Sequence, residues 1–276
     1  MNECFLFFDM DGTLISPKSH HVLSSSIQAI QQAERNGCHV FLCTGRGYGM
    51  ALEYQQEIEM PGIIFSNGAG IAYQGRILET HDIDPNTVHQ MISLISALGG
   101  GYQILSTSYI YQNEKEHHRF AQRFPQEYPD LSIEEVFRRK AMRSMDEYKG
   151  EAIQKIDFNF ENELTADLFF ARLPASLETV LSGGYYAKFG RRGGELMTEG
   201  TTKGQGIRRV LEMFSAHRHD AYCFGDSMND LTMMQECDTG IAMGNGTEEI
   251  KKSADYVTDD ADHDGIFNAM KHFHII

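Results

Sequence analysis

The chain has 276 residues, enough for one large domain or two of ordinary size. It is 41% hydrophobic and 23% charged, with a net charge of −15. That is a globular composition, and it argues against nucleic acid and anionic membrane surfaces as partners, because both need a basic face. A small phosphorylated molecule stays open, since a few cations and a metal ion can make one pocket positive inside an acidic protein.

Taken in chain order, the first third alternates strand and helix signals. Phe5–Phe8 is a continuous apolar run and predicts a buried strand. Ser24–Asn36 predicts a helix with serines at its start and Gly37 just past its end. His39–Cys43 predicts a second strand, Gly49–Glu59 a helix and Gly62–Phe65 a third strand. Ile71–Tyr73 and Ile77–Glu79 flank Gln74-Gly75 as a β-hairpin. Strands spaced by helices imply a parallel sheet.

The pattern changes near Asp82–Pro85. A helix is expected over Asn86–Leu98, then two short strands around Tyr102–Gln112 and a polar, partly helical stretch over Lys115–Lys149. Ile153–Phe160 predicts a strand and Thr165–Arg172 a helix, with further strands at Thr179–Leu181 and Tyr185–Phe189. This mixture predicts an inserted α+β unit with an antiparallel sheet. After Gly190 the first pattern returns. Helices are expected over Lys203–Phe214, Asp230–Cys237, Thr247–Ala254 and Gly265–His272, and strands over Ala221–Phe224, Thr239–Met243 and Tyr256–Thr258. The division that follows is a core over residues 1–82 and 190–276, interrupted by a cap over 83–189.

Asp9 and Asp11 sit at the carboxyl end of the first strand, ahead of Gly12, where ligands bind in open α/β sheets. Two like charges so close call for a cation or a shared proton, and a hard divalent ion such as Mg²⁺ suits oxygen ligands. At the end of the second strand, Thr44-Gly45-Arg46 offers a hydroxyl and backbone N–H groups to a phosphate oxygen. Lys203 starts a helix, where the dipole disfavours a cation unless it reaches an anion. A solvated surface lysine is the plain alternative. Asp226 ends the apolar strand over Ala221–Phe224, with Asp230 four residues on; an N-cap role explains one of these aspartates but not both.

Five cysteines occur without CxxC or zinc-type spacing, which predicts buried thiols in a reducing compartment. With no signal-peptide pattern and no apolar run that spans a bilayer, a cytoplasmic protein is expected. The histidines (His20-His21 and His117-His118 among them) form no metal motif, and Arg191-Arg192 reads as a solvated linker. No nucleophile elbow and no P-loop is present.

Together, Asp9-Met10-Asp11-Gly12-Thr13, Thr44-Gly45-Arg46, Lys203-Gly204 and Gly225-Asp226-Ser227-Met228-Asn229-Asp230 resemble the four motifs of the haloacid dehalogenase superfamily, in its phosphatase branch. The insertion, and Asn67-Gly68-Ala69 before the hairpin, resemble the Cof-type, class IIB branch. The resemblance implies a Rossmann-like α/β core with an α+β cap. It implies Asp9 as the nucleophile and Asp11 as the acid–base group. Asp9, Asp226 and the backbone carbonyl of Asp11 would hold Mg²⁺. Thr44, Gly45, Lys203 and Asn229 would hold the phosphoryl group. Asp230 would orient Lys203 or metal-bound water, with Asn67 and Arg46 in support. A small phosphorylated metabolite is the expected partner, in no assignable oligomeric state. A phosphomutase and a catalytically silent binding protein stay open beside the phosphatase.

Overall fold

A computed structural model describes residues 4–18, 21–127, 131–180, 190 and 192–276. The chain divides into two compact units. The first comprises Met1–Gly45, Glu53–Glu79 and Thr202–Ile276; the second comprises Arg46–Leu52 and Thr80–Thr201.

The first unit is built on strands β1 (Cys4–Asp9), β2 (Cys38–Cys43), β3 (Gly62–Phe65), β4 (Gly70–Tyr73) and β5 (Arg76–Thr80). Helix α1 (Ser24–Arg35) joins β1 to β2, and α2 (Tyr48–Ile58), whose first residues through Leu52 belong to the second unit, precedes β3. Phe5, Leu6, Phe7 and Phe8 are all fully buried, as befits a strand covered on both faces of a parallel sheet. β1 pairs in parallel with β2, placing Asp9 opposite Cys43. β3 pairs antiparallel with β4, and β4 lies next to β5 in the sheet, where the hairpin about Gln74-Gly75 is expected.

The second unit opens with α3 (Pro85–Ala97). Asp84 caps this helix by accepting the Thr87 backbone N–H at 3.0 Å, and proline takes its first position. There follow β6 (Gly101–Ser106), β7 (Ile110–Gln112), α4 (Glu114–Glu127), α5 (Ile133–Arg139), β8 (Met142–Ser144), β9 (Ile153–Asn159), α6 (Glu163–Phe170), β10 (Leu177–Val180) and β11 (Gly193–Thr198). The strands form a six-stranded sheet, ordered β10-β11-β9-β6-β7-β8. Its pairs are antiparallel except β7 with β8. One face of the sheet and helices α3 and α6 bury Val88, Met91, Ile95, Ile104, Ile156, Phe158 and Phe169 in a core of their own.

β11 differs from the expectation that the first pattern resumes after residue 190. It opens with two glycines and pairs with β9, so the second unit runs on to Thr201. The strand expected over Tyr185–Phe189 lies outside the described residues, as do His20, Arg191 and the last residue of the strand expected over Thr179–Leu181.

The chain then returns to the first unit through α7 (Lys203–Met213), β12 (Ala221–Gly225), α8 (Leu231–Glu236), β13 (Thr239–Ala242), α9 (Glu248–Ser253), β14 (Tyr256–Val257) and α10 (Gly265–His272). The eight-stranded sheet has the order β14-β13-β12-β1-β2-β3-β4-β5. From β14 to β3 every pair is parallel. The carboxyl ends of β1, β2 and β12 therefore emerge along one edge. The fold is α/β, with a parallel-sheet core and a second, α+β unit.

Candidate active site

Asp9 is the last residue of β1, and Asp226 directly follows β12, which pairs with β1. Parallel pairing thus delivers two carboxylates to the same sheet edge. Gly12 lets the chain turn between them. Its φ is +95°, and a Cβ there would stand 2.4 Å from Asp226 Oδ2, so only glycine fits both the turn and the approach. Thr13 Oγ1 donates to Asp226 Oδ1 at 3.4 Å.

Lys203 opens α7 behind its N-cap, Thr202, whose hydroxyl accepts the Gln205 N–H at 3.1 Å. Gly204 brings this helix start close to its neighbours; a Cβ there would stand 2.2 Å from the Thr232 carbonyl oxygen. The lysine is consequently 1% exposed, which removes the solvated-surface alternative. Its Nζ donates to Asp9 Oδ1 at 2.5 Å and to Asp230 Oδ1 at 2.6 Å. Asp230 Oδ2 accepts the backbone N–H groups of Asp226 and Ser227, at 3.0 and 3.1 Å. One carboxylate therefore both caps the turn and anchors the lysine, so the two roles considered for it are two oxygens of the same group.

The electrostatics follow from burial. Burial raises the Asp9 carboxyl well above its ordinary range; Asp230 adds to this, while Lys203 opposes it. Asp226 is pushed up to about 6, by burial first and then by Asp230. For Lys203, burial works against the charged form but is outweighed by Asp230 and Asp9, so the ammonium is held protonated. One buried cation thus faces three carboxylates.

Asp9, Asp226 and Asp230 present oxygen atoms all within 4.8 Å of one another. An all-oxygen donor set with excess negative charge fits a hard divalent cation. The residues expected to hold a metal were Asp9, Asp226 and the carbonyl of Asp11. The structure adds Asp230 to the carboxylate group, while the Asp11 side chain is exposed two residues beyond Asp9.

Thr44 follows β2, and its backbone carbonyl accepts the Asn67 N–H at 3.0 Å. A Cβ on Gly45 would stand 2.8 Å from Asn67 Oδ1, so this side chain lies against the Thr44-Gly45 turn. Asn229 Oδ1 accepts the Ser227 hydroxyl at 2.5 Å, within the turn that carries Asp226 and Asp230. Arg46 belongs to the second unit. Sequence reasoning missed Asn245. Its Nδ2 donates to the Gly12 carbonyl and its Oδ1 accepts the Ala261 N–H, both at 2.7 Å, which ties down the turn after Asp9. Its place in the Gly244-Asn245-Gly246 turn after β13, at the same edge of the sheet, was the available signal.

A family model described as haloacid dehalogenase-like hydrolase matches residues 6–270. The chain belongs to that family. Its motif order and two-unit organisation agree with the Cof-type, class IIB branch. It is 29% identical to the phosphatase YwpJ of Bacillus subtilis, covering 96% of this chain and 97% of that one. It is 24% identical to a second B. subtilis protein named as a putative phosphatase, YkrA, over 98% of both. A solved structure of a HAD subclass IIB sugar phosphatase matches with a TM-score of 0.78 at 27% identity, covering 99% of this chain and 100% of the other. This haloacid dehalogenase-like chain is thus a hydrolase of a phosphatase branch. No helix among its described residues is long and apolar enough to cross a membrane.

Proposed function

We propose that this chain is a Mg²⁺-dependent phosphatase that hydrolyses small phosphomonoesters through an aspartyl-phosphate on Asp9. The observation that carries the proposal is the buried Lys203, bonded to Asp9 and Asp230 beside Asp226 at the strand ends.

Asp9 attacks phosphorus, and the bond from phosphorus to the leaving oxygen breaks. Asp11, exposed and two residues on, gives its proton to that oxygen as it departs. The Asp11 carboxylate then takes a proton from the water that attacks the aspartyl-phosphate. Inorganic phosphate leaves and the Asp9 carboxylate is restored. Lys203, the Thr44 hydroxyl and the turn N–H groups hold the phosphoryl oxygens; positioning and charge neutralisation are what phosphoryl transfer requires. Asp230 keeps Lys203 charged and aimed. Mg²⁺, held by Asp9, Asp226, the Asp11 carbonyl and, directly or through water, Asp230, would neutralise charge on the phosphoryl group.

Asp9, Asp11, Thr44, Lys203, Asp226 and Asp230 all lie in the first unit. The second unit can therefore vary to select the leaving group without altering the chemistry.

The test is a survey of phosphorylated metabolites with Mg²⁺, reading released phosphate, on the parent protein and Asp9→Asn. A folded Asp9→Asn protein is expected to release none, because an amide is a poor nucleophile. Phosphate release at the parent rate by that variant would refute the aspartyl-phosphate route. Release of no phosphate from any ester by the parent, with isomerised sugar phosphate appearing instead, would show a mutase.

A further inference from the structure

Five cysteines lie in the first unit, and the fold treats them in two ways. Cys43, Cys223 and Cys237 are fully enclosed at 0% exposure, and Cys43 and Cys237 are pushed well up by burial. These are inert apolar fillers. Cys4 is partly exposed and Cys38 is 8% exposed, at the opposite end of the sheet from Asp9 and Thr44.

Cys4 and Cys38 are direct partners in the parallel pairing of β1 with β2. Neighbouring strands run about 4.8 Å apart. Disulfides span Cα separations of roughly 4.4–6.8 Å. The register thus sets the two thiols beside each other. The Cys4 thiol lowers Cys38 against the opposing effect of its burial, and Cys38 raises Cys4 together with burial. The arrangement is one of an attacking thiolate and a resolving thiol. Among the described residues, the group of three or more ligating side chains close enough to hold an ion is Asp9, Asp226 and Asp230, at the other end of β1.

We propose that Cys4 and Cys38 form a reversible redox pair, oxidised by peroxide to a disulfide that joins β1 to β2 at their amino-terminal ends. The Cys38 thiolate attacks one peroxide oxygen, the O–O bond breaks, and the departing hydroxide takes up a proton as water. Cys38 is then a sulfenic acid. The Cys4 sulfur attacks it, the S–O bond breaks, and the hydroxide released takes the Cys4 proton as a second water. Two thiols and one hydrogen peroxide become one disulfide and two waters. A bond between directly facing strand neighbours needs some local twist, which favours ready reduction by a dithiol.

The experiment treats the reduced, folded protein with hydrogen peroxide, alkylates remaining thiols after unfolding, and maps the peptides by mass spectrometry. A Cys4–Cys38 linked peptide is expected, reversed by dithiothreitol, with Cys43, Cys223 and Cys237 alkylated. The pair should react at least roughly tenfold faster than the three enclosed thiols. In Cys4→Ser, which removes the resolving thiol, a dimedone adduct is expected on Cys38 instead of the link. Alkylation of both Cys4 and Cys38 after peroxide would overturn the proposal, and so would a link between any other pair. The peptide readout is independent of phosphatase activity.

Discussion

Replacing Lys203 with methionine keeps the length and apolar stem of the side chain and removes its charge. In the parent, Nζ lies 2.5 Å from Asp9 Oδ1 and 2.6 Å from Asp230 Oδ1, with no side-chain exposure at the lysine or at Asp230. The variant leaves Asp9, Asp226 and Asp230 close together without a cation. Removing one partner of a buried ion pair costs about 3–5 kcal/mol. Protonation offers an escape, and its sign can be worked out. Asp9 and Asp226 are already raised in the folded state, and losing the ammonium raises them further. The folded variant therefore holds protons that the unfolded chain has released, and its stability falls as pH rises through that range. The deficit should be several kcal/mol at pH about 8 and clearly smaller at pH about 5. Urea denaturation followed by far-UV circular dichroism, without divalent metal, measures it. The double variant Lys203→Met/Asp230→Asn removes one orphaned charge and should recover part of the loss. Turnover in Lys203→Met should fall by about a hundredfold or more, as when a preorganised donor to a developing anion is lost. A variant within about 1 kcal/mol of the parent at pH 8, or a deficit that does not shrink in acid, would refute this account of the site.

Gly12→Ala forces a Cβ into the Asp226 carboxylate at a φ of +95°, so Mg²⁺ affinity by titration calorimetry should drop while the far-UV spectrum stays native. Asp226→Asn removes one carboxylate of the acidic group, and the Mg²⁺ concentration that gives half-maximal phosphate release should rise by tenfold or more on the scale of a lost ligand. In the second unit, burial and Glu195 raise the Asp157 carboxyl from 3.8 to about 6 against the opposing pull of Lys155. The folded state thus keeps a proton that the unfolded chain loses, so stability should fall as pH rises across that window, and Asp157→Asn should flatten this slope in denaturation series at pH 4 to 7.

What was legible in the sequence was what local chemistry dictates. The run Phe5–Phe8 reads as a buried strand and Gly12 as the turn that ends it, so two acids at a strand end followed directly. The strand–helix alternation implied a parallel sheet, whose strand ends meet along one edge, while a shared role for Asp9, Thr44 and Asp226 was implied by the resemblance of their motifs to the haloacid dehalogenase superfamily. The short strands were less legible. β8 has three half-exposed or exposed residues and no apolar run to announce it. β11 begins with two glycines, and its Glu195 is buried only because Lys155 bonds to it at 2.8 Å from a strand 40 residues away.

The tertiary structure alone decided the state of each charge. A lysine at a helix start is ordinarily solvated, and nothing within a few residues of Lys203 says otherwise. It is buried because Gly204 allows α7 to close on Thr232, and it stays charged because Asp9 and Asp230 arrive from residues 194 and 27 positions away. The same holds for Asn245, which binds the Gly12 carbonyl across 233 residues, and for Cys4 and Cys38, which only strand register makes neighbours. Hydrophobic periodicity is a local property that the order of residues carries. Burial, pairing and protonation depend on which distant groups share a low-dielectric space, and that is set when the sheet forms.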